Sequence, residues 1–582
     1  MNRKIEIEKI ELFENQEDNV QTIKLPPLTK EQEEIINPSV PPTSGIRMLI
    51  FEKKDDTFFM PATYQYMFFR VFKALSIIMK EEIDKKNPNL LLVSDDRPSS
   101  SHLLEFCAKI FTNDGYNLFF QEVYNEKSKI EAKNDSYYSR MSSPYGSASV
   151  ALFDNIDISI IITASHNPLT WDGVKFYIKR PMPISGVIMK NISTKAIELE
   201  KINISNTIDP KKIDVDKKNN EYTRNLIEKI FDISVLKSKK IILWPYLGSA
   251  PELQDLFDRL GAEIILIEED MYPPNPTINL DEQKIRALLI ENNAEIAVLL
   301  DSDRDRVVFV IKKKDSNEIK ILSPNEIYTA MHNILVKEYK AQLINVRTIP
   351  SDPRNDGEAL MNFVTGVGYK HLGLILYSAL SMNIDPSKFK SGIIYYLEEG
   401  KYRKLTSEKK IRKIFLDQCK ENEDYIMALW EESGGHTFNI LNKNNGNISS
   451  SLPMIADKYI APAICIICGL IAAGHDLFSA IDRSITGTRT AIKAHDDKKL
   501  KIVKYFADKK GKEISIDGYK YIIDTFDTVA GKKSVIHLES DHSELFVRPS
   551  GTSPNVRIYI FGPEKTAKDE LKKVKERIQN LF

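Results

Sequence analysis

Short apolar runs that end in loops crowded with polar residues recur along this chain. "IDISIIITASHNP" closes at residue 168, "NAEIAVLLDSDRDR" at 306, "EDYIMALWEESGGH" at 436 and "SELFVRPSGTSPNVR" at 557. Each apolar run is short and continuous, as in a strand buried within a sheet. The first three loops lie roughly 130–140 residues apart, about one α/β domain each. Between them "KKIILWPYLGSAPELQDLFDRLGAEIILIEED" reads as strand, glycine-bearing loop, helix, strand, the grammar of a parallel or mixed sheet. Loops at strand ends of such sheets face a crevice. The expected fold is α/β: three related mixed-sheet α/β domains plus a smaller C-terminal α+β domain around a central cleft. The expected division is an N-terminal extension at 1–40 and domains at 41–225, 226–325, 326–488 and 489–582.

Composition adds exclusions. With 582 residues, 42% hydrophobic and 28% charged, the chain is long enough for several cores. Its net charge of −1 gives no basic excess for nucleic acid or an anionic membrane. Four cysteines do not make a disulfide framework. Cys465 and Cys468 form a CxxC inside "IAPAICIICGLIAAG", where helical core packing is the expected role. That stretch is too short to span a bilayer, and "MNRKIEIEKIELFENQ" has no apolar signal core. A cytoplasmic protein without membrane or nucleic-acid partners is expected.

The chemistry concentrates in the loops. Asp301, Asp303 and Asp305 alternate in "DSDRDR"; carboxylates this close repel unless a cation sits among them, and hard oxygens suit Mg²⁺ or Ca²⁺. An EF-hand would need Gly at its sixth position and Glu at its twelfth, which here are Arg306 and Lys312. In "RPSGTSP", Arg548 offers a bidentate fork, Ser550 and Thr552 hydroxyls, and Gly551 a backbone able to close on an anion. In "EESGGH", Glu431 and Ser433 suit sugar hydroxyls. Ser165 and His166 are sequence neighbours and cannot form a catalytic triad by themselves. The chain has neither GxSxG nor GxxxxGK[ST]. A serine that carries a phosphoryl group, beside a metal loop and a phosphate clamp, is consistent with all four loops.

Together and in this order, "TASHNP…DGVK", "DSDRDR", "WEESGG" and "RPSGTSP" resemble the loops of the α-D-phosphohexomutase superfamily, which includes phosphoglucomutases and phosphomannomutases. "TSGIR" at 43–47, "VSDDRPSSS", "LSPNEI" and "TGVGYKHLG" resemble further family segments, so the resemblance covers roughly 41–582. It implies Ser165 as phosphoryl donor and acceptor. Asp301, Asp303 and Asp305 would hold Mg²⁺, with an oxygen of phosphorylated Ser165 completing the site, and Arg306 would lie beside that serine. Arg47, His166 and Lys175 would line its surroundings. Lys175 and Lys370 are candidates for general acid/base work or charge stabilisation. Glu431 and Ser433 would bind the sugar, and Arg548, Ser550, Gly551, Thr552 and Arg557 its non-transferring phosphate. Asp95 and Arg97 would brace the first domain.

The implied activity is interconversion of hexose 1-phosphate and hexose 6-phosphate, glucose and/or mannose, through a bisphosphate that also serves as activator (hexose 1,6-bisphosphate). Phosphopentomutase, phosphoglucosamine mutase and a catalytically weak phosphoprotein relative are the alternatives. Small-molecule sugar phosphates are the expected partners, and a monomer or homodimer the expected state. Asp172 stands where the family usually has Asn, Trp430 where it has Gly, and Ser553 and Asn555 depart from its phosphate loop; "PYLGSA" lacks a family His. The Trp430 ring is expected to narrow the sugar pocket, with His436 beside it.

Overall fold

Continuous apolar strands need cover on both faces, and the computed structural model shows them at the centres of three mixed sheets. The structure describes residues 4–15, 19–38, 45–123, 133, 135–184, 186–313, 318–382, 394–526, 535–550 and 555–581. Two compact units emerge: one from 1–321 and 453–472, the other from 322–452 and 473–582.

Unit 1 holds two main sheets. In the first, β1 (Ile46–Leu49), β2 (Asn89–Ser94), β3 (Asn117–Gln121), β4 (Ile158–Ile162) and β5 (Trp171–Ile178) run in the order β3-β2-β4-β5-β1. The trio β3-β2-β4 is parallel, and β5 and β1 are antiparallel additions. The second sheet places β6 (Lys240–Pro245), β7 (Glu263–Leu266), β8 (Ile296–Leu300) and β9 (Val307–Lys312) in the order β7-β6-β8-β9, three parallel strands and one antiparallel. Every residue of β4 (ISIII) and β8 (IAVLL) is buried. That explains why these strands are apolar almost throughout and do not alternate.

The segment before residue 40, expected as an extension, is built into unit 1. Strand Lys4–Ile7 pairs with Thr57–Met60, and Val20–Lys24 with Lys201–Ser205. Ile23, Leu25 and Ile36 enter the first core. Residues 453–472, assigned by the sequence division to 326–488, also lie in unit 1. The reason is apolar. Helix α1 (Ser143–Leu152) contacts α2 (Val215–Ile227), and the returning segment's Ala461–Ala472 helix packs on α2, with ten of its residues, Cys465 and Cys468 among them, buried.

Unit 2 repeats the first plan. Strands β10 (Leu343–Thr348), β11 (Met361–Thr365), β12 (Asp424–Trp430) and β13 (His436–Asn444) lie in the order β11-β10-β12-β13, again three parallel and one antiparallel. In each of the three sheets, four strands numbered in chain order lie side by side as second-first-third-fourth. This shared plan explains the spacing of the loops: "TASHNPLT" is the β4–β5 turn, "DSDRDR" the β8–β9 turn and "EESGG" the β12–β13 turn. The fourth sheet is antiparallel. It includes β14 (Ile485–Lys493), β15 (Glu544–Pro549) and β16 (Asn555–Pro563), with β16 between the other two. One face is covered by helices 496–507 and 567–581, through Ile502, Phe506, Leu571 and Val574. The opposite face sends Phe546, Tyr559 and Phe561 against Ile349, Val364 and Tyr395 of the third sheet's layer. Among the described residues, no helix is long and apolar enough to cross a membrane.

Candidate active site

Ser165 sits on the β4–β5 turn with its backbone in the left-handed region (φ 55°) and its side chain fully buried. A non-glycine residue held there costs about 1–3 kcal/mol, so surrounding contacts must over-determine it. They do. Arg97, itself buried, donates from Nη1 to the carbonyls of Pro168 and Trp171 (3.0 and 2.9 Å) and from Nη2 to those of Asn167 (2.9 Å) and Ser165. Ser302, on the β8–β9 turn, donates to the same Ser165 carbonyl. Thr163 Oγ1 accepts from the Ser165 N–H at 2.8 Å and donates to Asp95, which in turn accepts from Arg97 Nε. The expected brace of Asp95 and Arg97 is thus a clamp on the turn that carries the serine.

The aspartate trio meets that serine. Asp301 Oδ2 lies 3.4 Å from Ser165 Oγ. One oxygen from each of Asp301, Asp303 and Asp305 lies within 4.8 Å of the others, and all three residues are buried. Asp301 Oδ1 accepts the N–H groups of Asp305 and Arg306, both at 3.1 Å, so the turn itself aims the carboxylate. Asp303 Oδ2 accepts from Ser143 Oγ (2.6 Å), at the start of α1, and from Lys175 Nζ (2.5 Å); Lys175 Nζ also reaches Asp305 Oδ2 (2.8 Å). Lys458 Nζ lies 3.5 Å from Asp305 Oδ1. Asp303 Oδ1 is buried with no hydrogen-bond partner.

These partners divide the three acids. Burial would raise each carboxyl. Asp303 and Asp305 are nevertheless held below the usual aspartate range, Asp303 by Lys175 and Asp305 by Lys175, Lys458 and Arg306. Asp301 is pushed well up by burial and by its two acidic neighbours. One lysine therefore serves two acids, and the third is left with the weakest compensation. A buried orphan carboxylate oxygen, an undercompensated neighbour and three hard donors fit a divalent cation.

The remaining expected residues of this region gather at the same place. His166 Nδ1 lies 3.3 Å from Ser165 Oγ and in contact with Arg306 Nη1. Burial, then Arg306 and Arg47, push its pKa far down, so the imidazole is neutral. Arg47, on β1, lies opposite Gly173 in the sheet, and its Nε is buried with no hydrogen-bond partner. Gly173 is required there, since a Cβ would stand 2.3 Å from the Ile46 carbonyl oxygen. Lys175 is buried, not a surface charge. Burial lowers its pKa, but Asp303 and Asp305 more than reverse this, so it stays an ammonium and acts as a counter-ion.

Unit 2 carries the other loops. The β12–β13 turn closes through Glu431 N–H to the Gly435 carbonyl (3.1 Å), and Tyr328, on helix α3 (Pro324–Lys337), donates to the Gly434 carbonyl at 2.6 Å. Ser433 Oγ donates to Glu431 Oε1 (2.5 Å), so the two expected sugar-binding groups are adjacent. Trp430 does not narrow a pocket. It is fully buried, with Nε1 donating to Asn345 Oδ1 at 2.8 Å, because the last inward position of β12 points into the core. His436, opposite it, is equally buried and bonded to His332. Lys370 lies in the first turn of α4 (Tyr369–Ala379), next to Tyr369, whose hydroxyl donates to the Leu429 carbonyl (2.8 Å) just before the sugar loop. Arg548 and Arg557 are cross-strand partners, and Ser550 N–H donates to the Asn555 carbonyl. Gly551, Thr552 and Ser553 lie outside the described residues.

Asp172 explains one departure. It is buried, accepts from Ser99 Oγ (2.5 Å) and from the Gly173 N–H (2.7 Å), and burial followed by Asp95 raises its pKa to about 7. A raised carboxyl favours the folded state at low pH; that stabilisation is complete below the pKa of an unfolded aspartate and is lost as pH climbs through about 7. Asp172→Asn can keep both contacts without the titration. The stability gained over wild type should grow between pH 5 and 7 by on the order of 1 kcal/mol per pH unit. Denaturant titrations at both pH values check this; parallel curves would refute it.

Sequence reasoning missed Ser143, Ser302 and Lys458, whose partners Asp303, Ser165 and Asp305 lie far off in the chain and are joined to them only by the fold.

Comparison with known proteins agrees. Residues 40–202 match the family model for phosphoglucomutase/phosphomannomutase, alpha/beta/alpha domain I. The chain is 29% identical over 169 residues to a phosphoglucosamine mutase of Thermoanaerobacter pseudethanolicus (27% of this chain, 36% of that protein). It is 30% identical over 181 residues to one of Clostridioides difficile (29% and 39%). The match thus spans little more than a third of these curated relatives. The fold is similar to a phosphoglucomutase/phosphomannomutase family protein of Burkholderia thailandensis (TM-score 0.59, 15% identity, covering 94% of this chain and 97% of that one). It is also similar to the exocytosis-sensitive phosphoprotein parafusin, a phosphoglucomutase of Paramecium, in its open form (0.60, 16%, 96% of each). The sequence match thus places residues 40–202 with domain I of phosphoglucomutases and phosphomannomutases, and the fold of nearly the whole chain is similar to that of solved structures bearing those names.

Proposed function

We propose that this chain is a phosphohexomutase that interconverts hexose 1-phosphate and hexose 6-phosphate by way of phosphorylated Ser165. The observation that carries the reading is Ser165 Oγ, buried 3.4 Å from the Asp301 carboxylate in an aspartate trio with an orphan oxygen.

Asp301, Asp303 and Asp305 would hold Mg²⁺, which when bound would withdraw charge from the phosphoryl oxygens. The chain's own residues do the rest. The Arg97 clamp fixes Ser165 Oγ. The sugar hydroxyl oxygen attacks phosphorus in line; the bond from phosphorus to Ser165 Oγ breaks as the new one forms, and the hydroxyl proton passes to a nearby base, leaving Ser165 to take up a proton. His166, 3.3 Å from Ser165 Oγ and in contact with Arg306, would line the serine as a neutral ring and hold Arg306 beside it. Arg47 and Arg306 face the transferring group with positive charge. In unit 2, Glu431 and Ser433 would hold sugar hydroxyls, and Arg548, Ser550, Gly551, Thr552 and Arg557 the other phosphate. Lys370 would act on the sugar side. The bisphosphate then presents its other phosphate, and Ser165 is rephosphorylated.

Glucose and mannose phosphates are the leading substrates; glucosamine phosphate is the second reading, favoured by the phosphoglucosamine mutases that match part of the chain. A coupled assay with the 1-phosphates of glucose, mannose, glucosamine and ribose, Mg²⁺ and a hexose 1,6-bisphosphate primer tests both. Turnover of one hexose phosphate, lost on chelation and restored by Mg²⁺, is expected. No turnover of any sugar, or turnover indifferent to chelation, would overturn the reading.

A further inference from the structure

The C-terminal sheet gathers more positive charge than the phosphate loop accounts for. On its helix-free face, Arg548 and Arg557 are directly paired across β15 and β16, and Tyr559 follows Arg557 by two residues. On β14, Arg489 is paired with Tyr559 and therefore shares that face. Arg489 and Arg557 are thus diagonal neighbours, roughly 7–8 Å apart at their bases and within reach of one target for long side chains.

One carboxylate faces this group. Glu432, the sugar-loop residue between Glu431 and Ser433, turns away from both. It meets Arg489 Nη1 at 2.5 Å and Arg557 Nη1 at 3.9 Å, and accepts from Tyr559 OH at 3.2 Å. Glu432 is nearly buried (9% exposed), whereas Arg489 and Arg557 keep 47% and 38% of their side-chain exposure. The arginines therefore remain open to an anion from solvent, while the carboxylate is their internal partner.

We propose that Arg489 is a third arginine of the anion site on this sheet, and that Glu432 holds it there and competes with the sugar's phosphate for it. The inference rests on the phosphate-clamp reading of Arg548 and Arg557. Sugar and phosphate recognition become linked: when a phosphate draws Arg489 and Arg557 off Glu432, the loop bearing Glu431 and Ser433 is released to settle on the hydroxyls.

Inorganic phosphate titrated calorimetrically into the full chain, with a chelator present, tests this. Arg489→Ala should weaken binding about five- to tenfold, as loss of one charge-assisted contact does. Arg489→Lys, which keeps the charge but not the fork, should fall between. Glu432→Gln keeps hydrogen-bonding capacity but removes the competing charge, and should tighten binding about three- to fivefold. A purely structural pair would shift affinity in the same direction for both, and that result would overturn the proposal. So would an unchanged Arg489→Ala beside a weakened Arg548→Ala, which leaves the clamp reading intact. If Arg548→Ala also binds normally, the clamp reading falls, and this inference with it.

Discussion

Ser165→Ala should give a folded chain that carries no phosphoryl group and turns over sugar phosphates at least about 10⁴-fold more slowly, since no other hydroxyl can replace a lost covalent nucleophile. Folding should survive. The turn is held by its backbone: Arg97 grips the carbonyls of residues 165, 167, 168 and 171, and Ser302 the first of these. Alanine at φ 55° is strained to a degree similar to serine. The trio Asp301, Asp303 and Asp305 also remains, so divalent-cation binding should persist in the variant. Intact mass before and after incubation with a sugar bisphosphate reads the phosphoryl group, and the coupled assay reads the rate. A variant that still gains the phosphoryl mass, or still turns over, would remove Ser165 from the reaction.

Lys175→Met should destabilise unit 1 by about 3–5 kcal/mol when no divalent cation is available, the usual cost of leaving buried charge without its partner. Lys175 bridges Asp303 and Asp305 at 2.5 and 2.8 Å, with 5% of its side chain exposed. Its removal leaves three buried carboxyls with Lys458 and Arg306 as the neighbouring cations. Mg²⁺ should recover a large part of the loss, and the variant's unfolding midpoint should depend on Mg²⁺ far more steeply than that of wild type. Denaturation in chelator and in millimolar-range Mg²⁺ measures both. Equal stability of variant and wild type in chelator would show that Lys175 is not the counter-ion; a loss that Mg²⁺ leaves untouched would show that the trio does not hold the cation.

Much of the plan was legible because the chemistry is contiguous. Ser165 with His166, Asp301 through Arg306, and Glu431 with Ser433 each occupy one turn between the third and fourth strands of the shared plan. A continuous buried strand followed by polar residues is visible without coordinates. Contacts set by distant segments were not. Arg97 reads as a brace until its guanidinium is seen crossing 68 residues to the serine turn. Ser143 lies 160 residues from Asp303, and Lys458 153 from Asp305. Trp430 misled because its position in the motif says nothing about which side of β12 it faces. The N-terminal residues misled because their charged, proline-bearing composition masks Ile23, Leu25 and Ile36, the few side chains that enter the core.

The return of residues 453–472 to unit 1 has a consequence for biosynthesis. A ribosome that has finished residue 321 has not yet made the helix that covers α2, nor Asp457 and Lys458, which meet Tyr177 and Asp305. At about 5–20 residues per second, the intervening stretch keeps the nascent first unit waiting for roughly 8–30 s. During that interval the face of α2 that this segment covers, Tyr222 and Thr223 included, stands open to chaperones, and a truncation that removes 453–472 makes the exposure permanent.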